Sequence, residues 1–191
     1  SRIRLWGSIG FIVAVMGTGA LLDMAPPVGV LWVCWGILAG ILLYALVLPE
    51  ASPVPHAHDA QPIGEILRQP KVIALMTACF AMSAAHGAFY VFYSIHLDAH
   101  GYSKTEVGLL WSLGVVAEIV VFMFMARLSR QFSLRAILLA CFGAAVVRFL
   151  LMGWGVESAA IMILVQLLHG LTFGAYHAAS IAAVNQWFPG R

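Results

Sequence analysis

The run from Leu31 to Leu48 contains neither a charged residue nor a proline. Nothing in it can meet water, so lipid or other protein must surround it along its whole length. Comparable runs recur along the chain. A helix that crosses a bilayer needs roughly 20 mostly apolar residues. Charges and prolines divide the sequence into six such units: Leu5 to Leu22, Gly29 to Leu48, Val72 to Leu97, Val107 to Ala126, Ala136 to Trp154 and Ala159 to Trp187. Membrane strands would alternate apolar and polar residues over about ten positions, whereas these runs are continuous, which predicts helices. The composition agrees: 62% of the 191 residues are hydrophobic and 9% are charged, far from a soluble domain of this length. The expected fold class is an all-α polytopic membrane protein with six transmembrane helices.

Lysine and arginine set the expected orientation. With the N-terminus inside, the cytoplasmic segments hold Arg2, Arg4, Arg68, Lys71, Arg127, Arg130, Arg135 and Arg191, while the outer loops hold only Lys104. Both ends of the chain then face the cytoplasm. The outer turns carry Asp23, Asp98, Glu106 and Glu157, so a net charge of +2 hides a separation by side. That distribution serves topology and does not indicate nucleic acid. The segment from Pro49 to Pro70 is long and Pro-rich, unlike the tight turns elsewhere, and reads as a linker between helical bundles. Its His56 and His58 lack further ligands, so a solvated linker accounts for them better than a metal site. Ser1, without a Met or a charged leader, and Pro189-Gly190-Arg191, where a further span would begin, read as cut ends.

Enzymatic motifs are missing from the sequence. It has no Gly-rich phosphate loop, no His-Glu-x-x-His, no Gly-x-Ser-x-Gly elbow and no pair of intramembrane aspartates. No cofactor motif is present either. Cys34, Cys79 and Cys141 each sit in an apolar run without a partner at close spacing, so they read as small buried thiols. The expected partners are a small-molecule substrate, protons, the lipid bilayer and the remaining helices of a longer protein.

Ionisable groups inside the spans carry the functional reading, because a charge at the bilayer centre costs about 2.5 to 3.5 kcal/mol on insertion scales. Glu118 lies about 16 Å from the outer end of the fourth span at 1.5 Å per residue. It is either a structural ion pair or the carrier of an exchangeable proton. Arg148 lies nearer the outer end of the fifth span, where a guanidinium either snorkels to the interface or turns inward. In the sixth span His169, Phe173 and His177 share one helical side, and His169 is either a packing residue or a proton group. Gly170 and Gly174 have the small-xxx-small spacing of close helix approach. His86, Tyr90 and Tyr93 line one side of the third span, facing either a cavity or a neighbouring helix.

Three blocks resemble the lactose-permease-like transporters of the major facilitator superfamily: Arg2-Ile3-Arg4-Leu5-Trp6-Gly7-Ser8-Ile9-Gly10-Phe11, Leu67-Arg68-Gln69-Pro70-Lys71, and Leu168-His169-Gly170. The wording from His169 to Ser180 is similar to the phenylpropionate permease branch. The resemblance covers the whole chain and implies helices five to ten of twelve. It makes 1–48 the last two helices of an N-terminal six-helix bundle, 49–70 the central cytoplasmic loop, and 71–191 the first four helices of a C-terminal bundle. By position it implies that Arg4 is a substrate-contacting arginine and that Phe11 replaces a stacking tryptophan. It likewise makes Arg148 an arginine linked to proton coupling and His169 a histidine linked to binding and coupling.

Four positions depart from the sugar-permease pattern. Val115 stands for a helix-eight glutamate, Gln166 for a helix-ten lysine, Thr172 for a proton-releasing glutamate, and Tyr90 for the aspartate that would pair with that lysine. Glu118, one turn beyond Val115, can supply the missing carboxyl. A cavity with Arg4, Phe11, His86, Tyr90, Tyr93 and Arg148 suits an aromatic carboxylate better than an oligosaccharide. The resulting expectation is a proton-coupled importer of a phenylpropionate-like acid in a bacterial inner membrane, with Glu118 and His169 carrying the proton. A nucleoside or sugar symporter of the same fold, or a non-transporting membrane sensor or assembly subunit, is the alternative.

Overall fold

Every described residue stretch of any length is helical, and the reasons lie at the helix ends. The computed structural model describes residues 2–49 and 63–188. The Pro-rich segment with His56 and His58 lies outside the described residues, and so does the side chain of Arg4. Helix α1 (Arg2–Met24) stops just before Pro26 and Pro27, and α2 (Gly29–Val47) stops before Pro49. A short α3 (Ile63–Leu67) precedes α4 (Pro70–Ala99), which begins with Pro70 in the first turn, where a missing N–H costs nothing. It ends in a left-handed Gly101, φ 86°, with Tyr102 N donating back to Leu97 O at 3.2 Å. Helix α5 (Lys104–Gln131) starts with a capping box in which Ser103 and Glu106 satisfy each other. Ser133 caps α6 (Leu134–Trp154).

Among the described residues six helices are long and apolar enough to cross a membrane, and none of those residues forms a strand. The protein is a multi-pass α-helical membrane protein. Several helices run further than their apolar cores predict, α4 with 30 residues and α5 with 28 among them. Their caps, not their hydropathy, decide where they end. The last span departs from a plain helix. It runs as α7 (Ala159–His169), a π-helical segment (Gly170–Ala175) and α8 (Tyr176–Trp187). Apolar periodicity cannot register such a segment, because one widened turn leaves the residues on either side equally apolar.

Helix α1 packs chiefly against α5, while α2 touches α1 and buries none of its residues. A methyl group at Gly19 would sit 2.9 Å from Lys104 O, and one at Gly108 would sit 3.3 Å from Val15 O, so two glycines bring these helices together. Helix α5 also packs on α7 and the π segment, and α6 packs on α7, the π segment and α8. Large side chains such as Trp32, Leu43, Phe80 and Met123 stay exposed, as expected of surfaces that meet lipid or further helices.

The core has two apolar clusters. One, toward the α4–α5 turn, includes Phe89, Leu97, Leu110, Met152 and Val165. The other, toward the α5–α6 turn, includes Met82, Met125, Cys141, Ala175 and Ala179. Along each helix the buried polar residues fall between the two: His86 on α4, Ser112 on α5, Arg148 on α6, Gln166 and His169 on α7, Thr172 in the π segment. A polar layer is sandwiched by apolar packing at both ends.

Candidate functional site

Arg148 is the centre of that layer. It lies on α6 between buried Ala145 and Met152, one turn to either side, and it is 0% exposed. The guanidinium therefore turns inward and does not snorkel. Its Nε donates to Val165 O at 3.0 Å, and Nη1 donates to Thr172 Oγ1 at 3.4 Å. The guanidinium carbon stands 4.3 Å from the centroid of the Phe89 ring and 5.3 Å from that of Phe149, so two ring faces carry part of the burden of desolvation. Among the described residues no carboxylate pairs with it, and Nη2 has no hydrogen-bond partner.

His86 joins it from α4. Its Nδ1 lies 2.9 Å from Met82 O and can only donate there, which leaves Nε2 as an acceptor 3.4 Å from Arg148 Nη1. Met82, His86, Phe89, Tyr93 and Leu97 form one buried stripe along α4. That stripe separates two tyrosines which the sequence placed on one side. Tyr93 is 1% exposed, packed on Phe89 at 4.7 Å and Trp111 at 5.4 Å. Tyr90 is 47% exposed and stacks on Trp111 at 5.8 Å, with 18° between the planes.

Glu118 is not isolated. Its Oε1 lies 3.0 Å from His169 Nε2, and the side chains are 13% and 4% exposed. Glycines make this pairing possible. A methyl group at Gly170 would lie 2.7 Å from Ala117 O, and one at Gly174 would lie 3.5 Å from Glu118 Cα. The imidazole stacks on Phe173 at 5.4 Å, and Phe173 stacks on His177 at 6.1 Å. The rings of His169 and His86 are 5.8 Å apart, which brings the carboxylate–imidazole pair and the guanidinium into one continuous polar layer.

A cavity of about 630 Å³ opens beside this layer, between α4 and the π segment with α8. Its walls include His86, Tyr90, Thr172, Phe173, Tyr176 and His177. Arg148 and Tyr93 do not line it; Arg148 stands one layer behind His86 and Thr172. Phe11 is on α1, 42% exposed, and among the described residues no ring contact joins it to this cluster.

Over residues 1–191 the sequence matches the MFS_1-like family. The chain belongs to the MFS_1-like family. This MFS_1-like chain is 35% identical over 189 residues to a protein of Escherichia coli (strain K12) named a probable 3-phenylpropionic acid transporter, covering 94% of the chain and 48% of that relative. It is 26% identical over 189 residues to the uncharacterized transporter YwbF of Bacillus subtilis (strain 168), covering 98% of the chain and 47% of the relative. The chain thus spans about half the length of these relatives. No solved structure matches it.

In this MFS_1-like chain Phe89 packs on Arg148 and Trp111 packs on Tyr90 and Tyr93, yet sequence reasoning passed over both. Phe89 was legible as part of the stripe that continues from His86 to Tyr93 at helical spacing. Trp111, which donates its Nε1 hydrogen to Ser94 Oγ at 3.0 Å, gives no local signal, because its ring partners come from another helix.

Proposed function

We propose that this chain is the middle part of a proton-coupled secondary transporter that takes up a small organic acid of the aromatic-carboxylate class across a bacterial inner membrane. The observation that carries the reading is Arg148, fully buried behind a cavity wall and lacking a carboxylate partner among the described residues. An unpaired buried cation costs on the order of several kcal/mol. A substrate carboxylate that reaches past His86 and Thr172 relieves that cost, and the rings of Tyr90 and Phe173 suit the flat apolar remainder. The name of the E. coli relative is of the same substrate class.

Glu118 and His169 share a proton across their 3.0 Å contact. Substrate bound at Arg148 changes the field in the polar layer, and the proton is held or released accordingly. In this reading 1–48 belong to one bundle and 71–191 to the other, joined by 49–70 on the cytoplasmic side, and the bundles rock about the site. Both ends of the chain are cytoplasmic, and Arg4 and Phe11 are the residues that the first bundle adds to substrate binding.

Vesicles containing the full-length protein test it, with labelled 3-phenylpropionate, a nucleoside and lactose offered with and without an imposed proton gradient. Gradient-driven uptake of the acid alone is the expected result. Uptake of the nucleoside or lactose instead would replace the substrate class. Uptake of none of them by correctly inserted protein would favour a membrane sensor or assembly subunit.

A further inference from the structure

Helix α5 meets the last span along a narrow face. Gly114, Ala117 and Glu118 form it on α5, and Gln166, His169 and Gly170 form its counterpart. A methyl group at Gly114 would lie 2.8 Å from Gln166 Oε1 and 3.2 Å from His169 Cδ2. Both side chains thus occupy the space that a larger residue 114 would take. Gln166 is 0% exposed, and the Tyr93 phenol is the polar neighbour of its amide. The bare Cα of Gly114 leaves the room that this amide fills. One turn further along α5, Glu118 meets the same imidazole at 3.0 Å.

We propose that Gly114 is a positioning residue for the Glu118–His169 pair, with Gln166 as a spacer pressed into the same gap, so that the volume at 114 and 166 sets how closely imidazole and carboxylate meet. The inference rests on the reading in which that pair carries the coupled proton. The groups facing His169 are Glu118 from α5, His86 from α4, Arg148 from α6, and His177 beyond Phe173 on its own span. Of these only Glu118 bonds its Nε2, so a displaced ring disturbs that bond first. In Gly114→Ala the Gln166 amide, the end of a flexible side chain, swings aside. The His169 ring, stacked on Phe173, yields only as a unit.

The test uses the full-length protein in reconstituted vesicles with 3-phenylpropionate as probe. The pH profile of gradient-driven accumulation and the rate of counterflow are measured for Gly114→Ala, Gln166→Ala, Gln166→Met and the Gly114→Ala/Gln166→Ala double variant. Gly114→Ala and Gln166→Ala should each move the midpoint of the profile by about half a pH unit or more, with counterflow within about twofold. The bulk-conserving Gln166→Met should leave the midpoint in place, and the double variant should return at least halfway to wild type. Unmoved midpoints in both single variants, or an additive double variant, would overturn the proposal. Should Gly114→Ala fail to insert, the Gln166 pair decides: equal midpoints for Ala and Met reject the spacer. Glu118→Gln, run alongside, separates the two levels of inference. Normal accumulation by it defeats the coupling reading itself, whereas lost accumulation with an unmoved Gly114→Ala profile defeats only the spacer.

Discussion

The carboxylate of Asp23, at the end of α1, accepts the backbone N–H of Lys104, at the start of α5, over a distance of 3.1 Å and 81 residues of chain. It also accepts Thr105 N–H at 3.1 Å and the Thr105 hydroxyl. The local capping box uses the N–H groups of Ser103 and Glu106. Asp23 takes the two that the box leaves over, and its charge faces the positive end of the helix.

Replacing Asp23 with Ala should therefore loosen the first turn of α5 without touching the polar layer. Hydrogen exchange of the segment from Ser103 to Gly108 is expected to quicken by roughly fivefold, and by less in Asp23→Asn, which keeps a capping oxygen. Equal exchange in Asp23→Ala and wild type would show that the contact holds nothing.

Glu118→Gln keeps the size and hydrogen bonding of the side chain and removes its titratable proton. In the full-length protein it should lose uphill accumulation and its pH dependence while still exchanging substrate, since exchange need not release a proton. His169→Gln should behave alike, because the two groups share one contact. Accumulation against counterflow in reconstituted vesicles decides the point. A structural carboxyl would instead lower expression or thermal stability and leave coupling intact in the protein that survives.

Arg148 separates binding from folding. Exchanging a buried ion for an apolar residue of similar length is often neutral or stabilising, so Arg148→Met should keep the melting temperature or raise it while abolishing binding of the acid. Arg148→Lys, without the planar fork that reaches Val165 O and Thr172 Oγ1 at once, should weaken binding by about tenfold. Calorimetry and thermal unfolding on the same samples give both readings. A marked loss of stability in Arg148→Met with unchanged affinity would make the guanidinium structural.

The two tyrosines of α4 should part company. Tyr90 is on the cavity wall and Tyr93 is behind it. Tyr90→Ala is expected to weaken binding of an aromatic acid by roughly fivefold through lost stacking, whereas Tyr93→Phe should stay within about twofold. Equal effects would mean that substrate and cavity do not coincide.

Topology is open to a direct check. Reporters fused within 49–70 and near Arg130 should read cytoplasmic, and those near Asp23, His100 and Glu157 should read external. A single swapped pair would overturn the count of six spans.

Hydropathy along the chain was enough to find six spanning helices, and the cost of charge in hydrocarbon was enough to single out Glu118, Arg148 and His169. Both are local properties, summed over neighbours in sequence, and no partner helix enters them. Which way each side chain points depends on helix rotation and on how near two backbones come. Those are set by contacts such as Gly170 on Ala117 O and Gly114 under Gln166. Only the tertiary structure could therefore decide that Glu118 meets His169, that Arg148 is buried without an acid beside it among the described residues, and that Tyr90 faces a cavity which Tyr93 does not. The π segment belongs with these: one widened turn changes no residue's polarity, yet it lies directly after His169 and carries Thr172 and Phe173 to the cavity wall.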